Sequence, residues 1–286
     1  MQSVVQSRKP IDTAQFALIT SAVQSYFLAP HVYPCVTDDH VVLLDLQRDK
    51  YVGVGREQMA SLAARVKGWP LVGDLQLLEP AASDVRSSNA SGPASLSIPS
   101  NIASAPGTRA DSVLGKMLAA GMLTTDPAVG KEATPVNMPR PEAALVEEDL
   151  ETQPEIKASH VWRFLRASLV SALALKTFRI ESVIAAVAAR KAAARASGKA
   201  PFDRARASRE VAAFIRLRPL LFGAQDACLF DSIALMRFLS YSGIVPTCVI
   251  GVHTGPFGAH CWVQHEAMVF NDSPEYVRRF TPILAV

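Results

Sequence analysis

The stretch from Asp226 to Asp272, DACLFDSIALMRFLSYSGIVPTCVIGVHTGPFGAHCWVQHEAMVFND, decides the fold of the second half of this chain. Its first part predicts a heavily apolar helix that begins near Asp226 and ends at Gly243, with Cys228 in its first turn. The rest is rich in β-branched and aromatic residues. It predicts strands at Pro246–Val252, His260–His265 and Met268–Asp272, with a turn at His253–Ala259.

The order of a cysteine, a histidine and an acid along this segment indicates thiol chemistry. The helix dipole lowers the pKa of a cysteine in the first turn, and the thiolate is the nucleophilic form. Side chains alternate along a strand, so His260 shares a face with Trp262; if that face meets the helix, Trp262 lines the floor beside Cys228. Asp272 is placed to orient the imidazole. Each residue alone is ordinary, but the ordered combination favours acyl transfer.

Four further side chains near this segment have weaker assignments. Asp231, one helical turn after Cys228, either shapes the site or bonds a neighbouring helix. For an oxyanion, the backbone N–H of Cys228 is a better candidate donor than the side chain of Gln225. Cys248 and Cys261 lie mid-strand among apolar neighbours, which predicts that they are packing residues.

Composition excludes several classes of function. The chain has 286 residues, 49% hydrophobic and 19% charged, which suggests two globular domains. A net charge of +3 is too small to indicate nucleic-acid binding. Four scattered cysteines without a CxxC pair argue against a disulfide scaffold and a structural zinc site. We find no secretion signal and no apolar run that would span a membrane, so we expect a cytoplasmic protein without bound metal.

Strand and helix patterns in the first half predict a small α+β domain at 22–130. Its predicted hairpin strands and helices are Val41–Leu46, Lys50–Gly55, Arg56–Lys67 and Asp111–Asp126. Residues 81–109, rich in Ser, Ala and Pro, predict a disordered insertion. An acidic, proline-rich linker is predicted at 131–155.

The second predicted domain, at 156–286, opens with helical patterns and many basic residues. The predicted helices are His160–Thr177, Glu181–Ala196 and Ser208–Leu217. The basic residues are Arg190, Lys191, Arg195, Lys199, Arg204, Arg206, Arg209, Arg216 and Arg218. We favour solvated helix faces over a patch for an anionic partner, such as nucleotide phosphate, an acidic peptide or the acidic linker itself.

Two segments resemble the C-terminal half of lasso-peptide biosynthesis B proteins: CLFDSIALMRFLSYSGIVPTCVIGVHTGPFGAHCWVQ, from Cys228, and VFNDSPEYVRRFTPILAV, from Val269. These proteins are transglutaminase-like cysteine peptidases that remove the leader from a ribosomally made precursor, and papain-like enzymes share their order of catalytic residues. The resemblance, strongest over 223–286, implies Cys228 as the nucleophile, His260 as the base and Asp272 as the orienting acid.

The segment DHVVLLDLQRDKYVGVGREQMASLA is similar to the small recognition domain of many peptide-modifying systems. That domain is winged-helix-like, with a three-stranded sheet packed on helices, and a leader peptide adds a strand to the sheet edge. The resemblance implies a leader groove near Tyr51, Leu44 and Leu46. From their positions beside His260 and Cys228, Trp262 and Asp231 are also predicted to contact the substrate.

Together these resemblances imply one chain that tethers a lasso precursor through its leader and cuts it, with tethering raising the effective concentration of the scissile bond. The implied partner is an ATP-dependent, asparagine-synthetase-like cyclase that closes the macrolactam; any ATP requirement belongs to that cyclase, and no cofactor is expected on this chain. Two alternatives stay open. The acyl intermediate could pass to an amine, as in a transglutaminase or N-acyltransferase, or the chain could be a non-enzymatic peptide-binding adaptor.

Overall fold

The computed structural model of the chain describes residues 25–38, 40–70, 106–145, 155–197, 202–221 and 228–286. Side chains in the helix that begins at residue 106 are described from residue 113 onward. Most of the predicted insertion at 81–109 and the acidic stretch at 146–154 lie outside these residues. The described residues form a mixed α and β architecture, in agreement with the predicted class.

In its described residues, the N-terminal unit contains a three-stranded sheet, a two-stranded sheet and two helices. In chain order the elements are β1 (Phe27–Leu28), β2 (Val32–Val36), β3 (Val41–Asp45), β4 (Lys50–Val54), α1 (Arg56–Ala63), α2 (Pro106–Ala119) and β5 (Leu123–Thr124). β2, β3 and β4 form an antiparallel meander with β3 in the centre, and β1 pairs with β5. The predicted three-stranded sheet is present, whereas the winged-helix arrangement stays a prediction.

A buried carboxylate stabilises the turn between β3 and β4. The antiparallel pairing of these two strands confirms the predicted hairpin. Asp45 is paired with Lys50 at the end of the ladder. Its carboxylate accepts hydrogen bonds from the amides of Gln47 and Arg48 at 3.0 and 3.1 Å, and from the Arg48 guanidinium at 2.9 Å. An aspartate that bonds amides two and three residues ahead stabilises a turn without glycine.

Both N-terminal helices differ from their predicted bounds. α1 ends before the predicted Lys67, because the Lys67 amide donates to the Tyr26 carbonyl at 2.8 Å and so leaves the helix axis. α2 begins at Pro106, earlier than the predicted Asp111, and proline is well tolerated at the first helical position. It ends before Gly121, which has a φ of 64° that favours glycine.

The C-terminal unit places helices beside a five-stranded sheet. Its elements are β6 (Ala143–Ala144), α3 (Ala158–Thr177), α4 (Ile180–Ala196), α5 (Arg204–Leu217), a 3-10 turn (Arg218–Leu220), α6 (Cys228–Ser240), β7 (Thr247–Thr254), β8 (Phe257–His265), β9 (Met268–Val269), α7 (Pro274–Val277) and β10 (Thr281–Ala285). The strand order is β10-β7-β8-β9-β6, with only β6 and β9 parallel. Each of the three predicted helices is present and begins one to four residues earlier than predicted.

The hairpin between β7 and β8 corrects the predicted turn at His253–Ala259. Both strands continue until Thr254 pairs with Phe257, which leaves a tight turn between them. Gly258 permits this close approach, because a Cβ at that position would lie 2.6 Å from the His253 ring nitrogen Nε2. The glycine therefore belongs to a strand, where it accommodates a cross-strand imidazole.

The described part of the predicted linker, 131–145, is bound to both units instead of being free. Lys131 exchanges backbone hydrogen bonds with Leu28 at 2.8 and 2.9 Å. Farther along, the Pro139 carbonyl accepts a hydrogen bond from the Gln264 side chain at 2.8 Å, and β6 pairs with β9. Several backbone groups in the described part of this linker are therefore bonded to the two units.

The N-terminal sheet is covered on both of its faces. On one face Leu43 and Val54 pack with α1 and α2. On the other face Val42, Leu44 and Leu46 belong to the same hydrophobic core as α3, α5, α6 and the β7–β8 hairpin. The two predicted domains therefore share a core, and the sheet is a layer between them.

This shared core excludes two of the predicted leader contacts. Leu44 and Leu46 are 1% and 3% exposed, so neither side chain is accessible to a peptide. Leu44 also lies on β3, whose two edges are already paired. None of the described helices is long and apolar enough to span a membrane.

We expect Leu44→Ala to destabilise both units together, by about 2–5 kcal/mol, because it leaves a cavity in the core that they share. The measurement is urea unfolding followed by both tryptophan fluorescence and far-UV circular dichroism. Val52→Ala on β4, where Val52 is 37% exposed, is the matched control and should cost less than about 1 kcal/mol. Two separate transitions, with only one moved by Leu44→Ala, would contradict the shared core.

Candidate active site

The site lies beside residues 260–263 of β8, which have no paired strand on the β9 side. β9 pairs only with Gln264 and His265, because the chain leaves the sheet after Val269. The predicted strand that reaches Asp272 is therefore too long. From residue 260 to residue 263, β8 presents an edge to side chains and to the loop after β9 instead of to a strand.

Three side chains satisfy the backbone along this edge. The Val263 amide donates to Oδ1 of Asn271 at 2.8 Å, and the Ser232 hydroxyl donates to the Cys261 carbonyl at 3.0 Å. The Cys261 amide interacts with the sulfur of Cys228 and favours its thiolate form. Ser232 lies four residues after Cys228, so the two side chains project from the same face of α6. The helix thus docks its first turns against the open edge.

Cys228 is the first residue of α6, and its thiol is free and partly exposed. Burial alone would raise the pKa of this thiol. The hydrogen bond from His260, the Cys261 amide and the charge of His260 outweigh burial and hold the pKa below its ordinary value. The positive end of the helix dipole favours the anion in the same direction. The site therefore stabilises a thiolate.

His260 is held between the thiol and a carboxylate. Its Nε2 lies 2.6 Å from Oδ2 of Asp272, and Oδ1 of Asp272 accepts the Ser273 amide at 2.8 Å. Burial would lower the pKa of the imidazole, but its hydrogen bonds to Asp272 and Cys228 raise that pKa to about 9. Since Nε2 is engaged by Asp272, Nδ1 is the nitrogen that remains for the thiol. The pair favours thiolate and imidazolium at neutral pH.

The thiol and the imidazole approach the β8 edge from opposite faces of the sheet. Cys261 and Val263 belong to the core that contains α6, whereas Trp262 belongs to a separate cluster with Phe280. By alternation His260 lies on the Trp262 side. The arrangement considered from the sequence, with His260 facing the helix, is therefore wrong. The Cys228 thiol and the His260 imidazole can approach each other because no strand pairs with β8 at residues 260–263 on this side.

Aromatic rings enclose His260. The ring centroids of Tyr276 and Phe280 each lie 5.1 Å from that of His260, and Trp262 lies nearly parallel to it at 6.1 Å. Trp262 is 1% exposed, and its indole N–H donates to Gln264 at 2.8 Å. The predicted contact of Trp262 with substrate is therefore wrong. The indole instead packs beneath the His260 ring, on the side away from solvent.

Asp231 is also buried rather than available to substrate. It is 2% exposed, accepts a hydrogen bond from Nδ2 of Asn271 at 2.8 Å and lies 3.5 Å from the Arg218 guanidinium. Burial raises the pKa of this carboxyl, while Asn271 and Arg218 oppose the rise. Asp231 thus fixes Asn271, the residue before Asp272, and the predicted substrate role is wrong. Of the two options considered from the sequence, shaping the site is supported by the bond to Asn271, and the contact with Arg218 ties Asp231 to the turn after α5.

Tyr51 is the predicted leader contact that lies nearest to the site. Its ring centroid is 5.3 Å from that of Phe257 on β8. Burial raises the pKa of its hydroxyl, and the nearby negative charge of Asp49 raises it further. Tyr51 thus joins the edge strand β4 to β8, the strand that carries His260.

Sequence reasoning missed Asn271, Ser232, Arg218, Tyr276 and Phe280. Asn271 was detectable as the neighbour of Asp272, but its bonds to a buried carboxylate and a strand amide depend on tertiary contacts. The alternative oxyanion donor Gln225 lies outside the described residues.

The remaining cysteines are confirmed as packing residues. Cys248 and Cys261 are 1% and 3% exposed, and their sulfur atoms lie 3.6 Å apart without a disulfide. Cys35 is also buried and free. Among the residues that the structure describes, no group of three or more histidine, cysteine or carboxylate side chains is placed to hold a metal.

Comparison with known proteins assigns the C-terminal half. Residues 169–285 match the transglutaminase-like superfamily, and this part of the chain is a transglutaminase-like domain. That superfamily includes cysteine peptidases and acyltransferases. No curated protein and no solved structure matches the chain.

We expect iodoacetamide to alkylate Cys228 in the native protein at pH values too low for rapid alkylation of an ordinary thiol. The rate should level off between the lowered thiol pKa and pH 9, because the imidazole keeps its proton until its pKa of about 9 is reached. In His260→Ala, burial dominates and the thiol pKa rises, so the rate at pH 7 should fall by about tenfold or more.

Mass spectrometry of the labelled protein gives the rate at each pH. Cys228→Ser is the control, because the three other cysteines are buried and should stay unlabelled in the folded protein. Identical pH profiles for the wild type and His260→Ala would show that the imidazole does not activate the thiol.

Proposed function

We propose that this protein is a cysteine peptidase that cleaves the leader from a ribosomally made lasso precursor. The observation that carries the proposal is the group of Cys228, His260 and Asp272 at the open edge of β8, in which His260 lowers the thiol pKa and lies 2.6 Å from the Asp272 carboxylate. A thiol with a lowered pKa, bonded to an imidazole that a carboxylate orients, is the arrangement that nucleophilic thiol catalysis requires.

In the proposed reaction, the Cys228 thiolate attacks the carbonyl carbon of the scissile peptide bond and forms a C–S bond. The electron pair of the carbonyl moves to its oxygen, where the backbone N–H of Cys228 is the candidate donor. Collapse breaks the C–N bond while the His260 imidazolium gives its proton to the leaving amine. Water then attacks the thioester, His260 accepts a proton from it, and the leader acid departs as the thiolate reforms.

Leader binding is proposed at the edge of β4. β4 is an outer strand of its sheet, and residues 52 and 53 are exposed. The amide of Leu46 donates toward β2, so alternation directs the amides of Tyr51 and Gly53 away from β3. An extended leader added there would use these free groups, as in β-augmentation. The contact of Tyr51 with β8 would bring the following residues of the precursor toward Cys228.

The proposed partners follow from this assignment and from the family resemblance. The freed core N-terminus would pass to an ATP-dependent, asparagine-synthetase-like cyclase, so ATP would act on that partner and no cofactor would be bound by this chain. We place the reaction in the reducing cytoplasm, where a thiolate at Cys228 is protected from oxidation.

Acyl transfer to an amine is the second candidate, because the superfamily of residues 169–285 includes acyltransferases. It uses the same thioester and differs only in the acceptor. A non-enzymatic adaptor is less well supported, since it would leave the lowered thiol pKa without a use.

Incubation with the precursor peptide encoded beside this gene should give one cut at the leader–core junction. The two product masses should sum to the precursor plus one water, whereas transfer would add the amine. Cys228→Ser should reduce the rate by at least about a thousandfold, because it removes the thiolate. Mass spectrometry with and without the cyclase and ATP makes the measurement. If the precursor stays intact but still binds tightly, the result would contradict the peptidase proposal and favour the adaptor function.

Gly53→Pro should weaken binding of the leader by about tenfold or more, because it removes one outward amide from the edge strand. Gly53→Ala is the matched control: a Cβ at this position meets no atom within 4 Å, and the amide is kept. Fluorescence anisotropy of a labelled leader gives the affinities, and unchanged alkylation of Cys228 verifies the fold. Equal affinities of the two variants for the leader would contradict leader binding at the β4 edge.

A further inference from the structure

Of the three aromatic rings that enclose His260, Tyr276 keeps a large exposed surface. Trp262 and Phe280 are 1% and 7% exposed, whereas Tyr276 is 41% exposed. Its ring centroid nevertheless lies 5.1 Å from that of the imidazole, at an interplanar angle of 82°. Two of the rings thus belong to the core, and the third borders solvent beside the general acid of the proposed reaction. An exposed aromatic side chain in this place is a candidate contact for substrate.

A short capped turn fixes the position of Tyr276. The Ser273 hydroxyl accepts a hydrogen bond from the Tyr276 amide at 3.2 Å, and the Ser273 amide donates to Oδ1 of Asp272 at 2.8 Å. Pro274 is buried at the start of α7, a position that suits its restricted backbone. One turn therefore carries both the carboxylate and the Tyr276 ring to the imidazole of His260. A substrate side chain would meet a ring that is already oriented.

The proposed reaction decides which part of the substrate comes to Tyr276. The His260 imidazolium gives its proton to the leaving amine, so the nitrogen of that amine must come within about 3 Å of the imidazole. The residues after the scissile bond continue from this nitrogen, and each spans about 3.5 Å in an extended chain. The first two of them therefore begin beside the imidazole and within reach of Tyr276. The residues before the bond are instead attached to Cys228 in the thioester.

Charge around Tyr276 limits the chemistry of the side chain that it would bind. The Arg279 guanidinium carbon lies 5.7 Å from the ring centroid of Tyr276. Among the described residues, no carboxylate forms an ion pair with Arg279, whereas Arg278 is paired with Glu275 at 2.7 Å. A cationic substrate side chain would approach the Arg279 charge and the His260 imidazolium. The surface therefore disfavours cations and suits an apolar or aromatic side chain.

We propose that Tyr276 forms a specificity subsite that binds an apolar, preferably aromatic side chain on one of the first two residues after the scissile bond. This inference rests on the proposed peptidase function and adds to it the class of substrate on the leaving-group side. An aromatic pair is favourable beyond the apolar area that it buries. The contact is present in both the bound substrate and the transition state, so it lowers KM more than it raises kcat.

The test uses the full chain and three forms of the precursor peptide encoded beside this gene. The first two residues after the cut are Ala-Ala, Phe-Ala or Ala-Phe, and the leader is unchanged. We expect the kcat/KM of the wild type to be at least about fivefold higher for one of the Phe peptides than for the Ala-Ala peptide, mainly through KM. Tyr276→Leu should abolish this preference, and Tyr276→Phe should keep it because the ring is retained.

Phe257→Leu is the matched control. Phe257 is 39% exposed on β8, but alternation places it on the Cys261 side of the strand, opposite to His260. This variant should keep the wild-type preference for the Phe peptide, whatever it does to leader binding. Iodoacetamide carries no side chain that could fill the subsite, so it should alkylate Cys228 of Tyr276→Leu at the wild-type rate.

Equal kcat/KM for the three peptides, including no cut in any of them, would overturn the subsite. Cleavage of the unmodified precursor then shows whether the peptidase proposal stands without it. A loss in Tyr276→Leu that is equal for all three peptides, together with slower alkylation of Cys228, would also overturn the subsite. That result would show that the Tyr276 ring only supports the imidazole. If the unmodified precursor is not cut either, the peptidase proposal fails and the subsite fails with it.

Discussion

The hydrogen bond between Cys228 and His260 depends on the edge of β8 being open. If β9 continued beyond Val269, the amide of Cys261 would bond a strand and could not donate to the sulfur. The thiol and the imidazole, which come from opposite faces of the sheet, would then be separated by backbone. A short strand is thus the condition for the whole site, and Asn271 and Ser232 compensate for the lost ladder bonds.

Two neighbouring carboxyl groups have different tasks because their surroundings differ. Asp272 retains partial exposure and bonds the imidazole, so it stabilises the imidazolium. Asp231 is buried against Asn271 and Arg218, and burial raises its pKa. Asp231 fixes the position of the loop that carries Asp272. Asp272 stabilises the positive charge of the His260 imidazolium. Neither needs to contact substrate to matter for the thiol.

The shared core constrains how a peptide can approach. Because the N-terminal sheet is covered on both faces, a peptide that bound this sheet would reach only its edge, and β4 is an outer strand of the sheet. Tyr51 joins that edge to β8. The fold therefore couples the two halves by packing, without a flexible tether over residues 131–145.

Local patterns in the sequence determined the helices, the β3–β4 hairpin and the order of cysteine, histidine and acid. These features depend on neighbours a few residues apart: the apolar periodicity of α6, the glycine after it and the turn-forming Asp45. Only the tertiary structure decided that Leu44, Leu46, Trp262 and Asp231 are buried. Burial depends on which faces meet, and alternation along a strand gives two equivalent faces without saying which one a helix will cover. The same ambiguity is why the sequence left open which face of β8 meets the helix, and with it the face on which His260 lies.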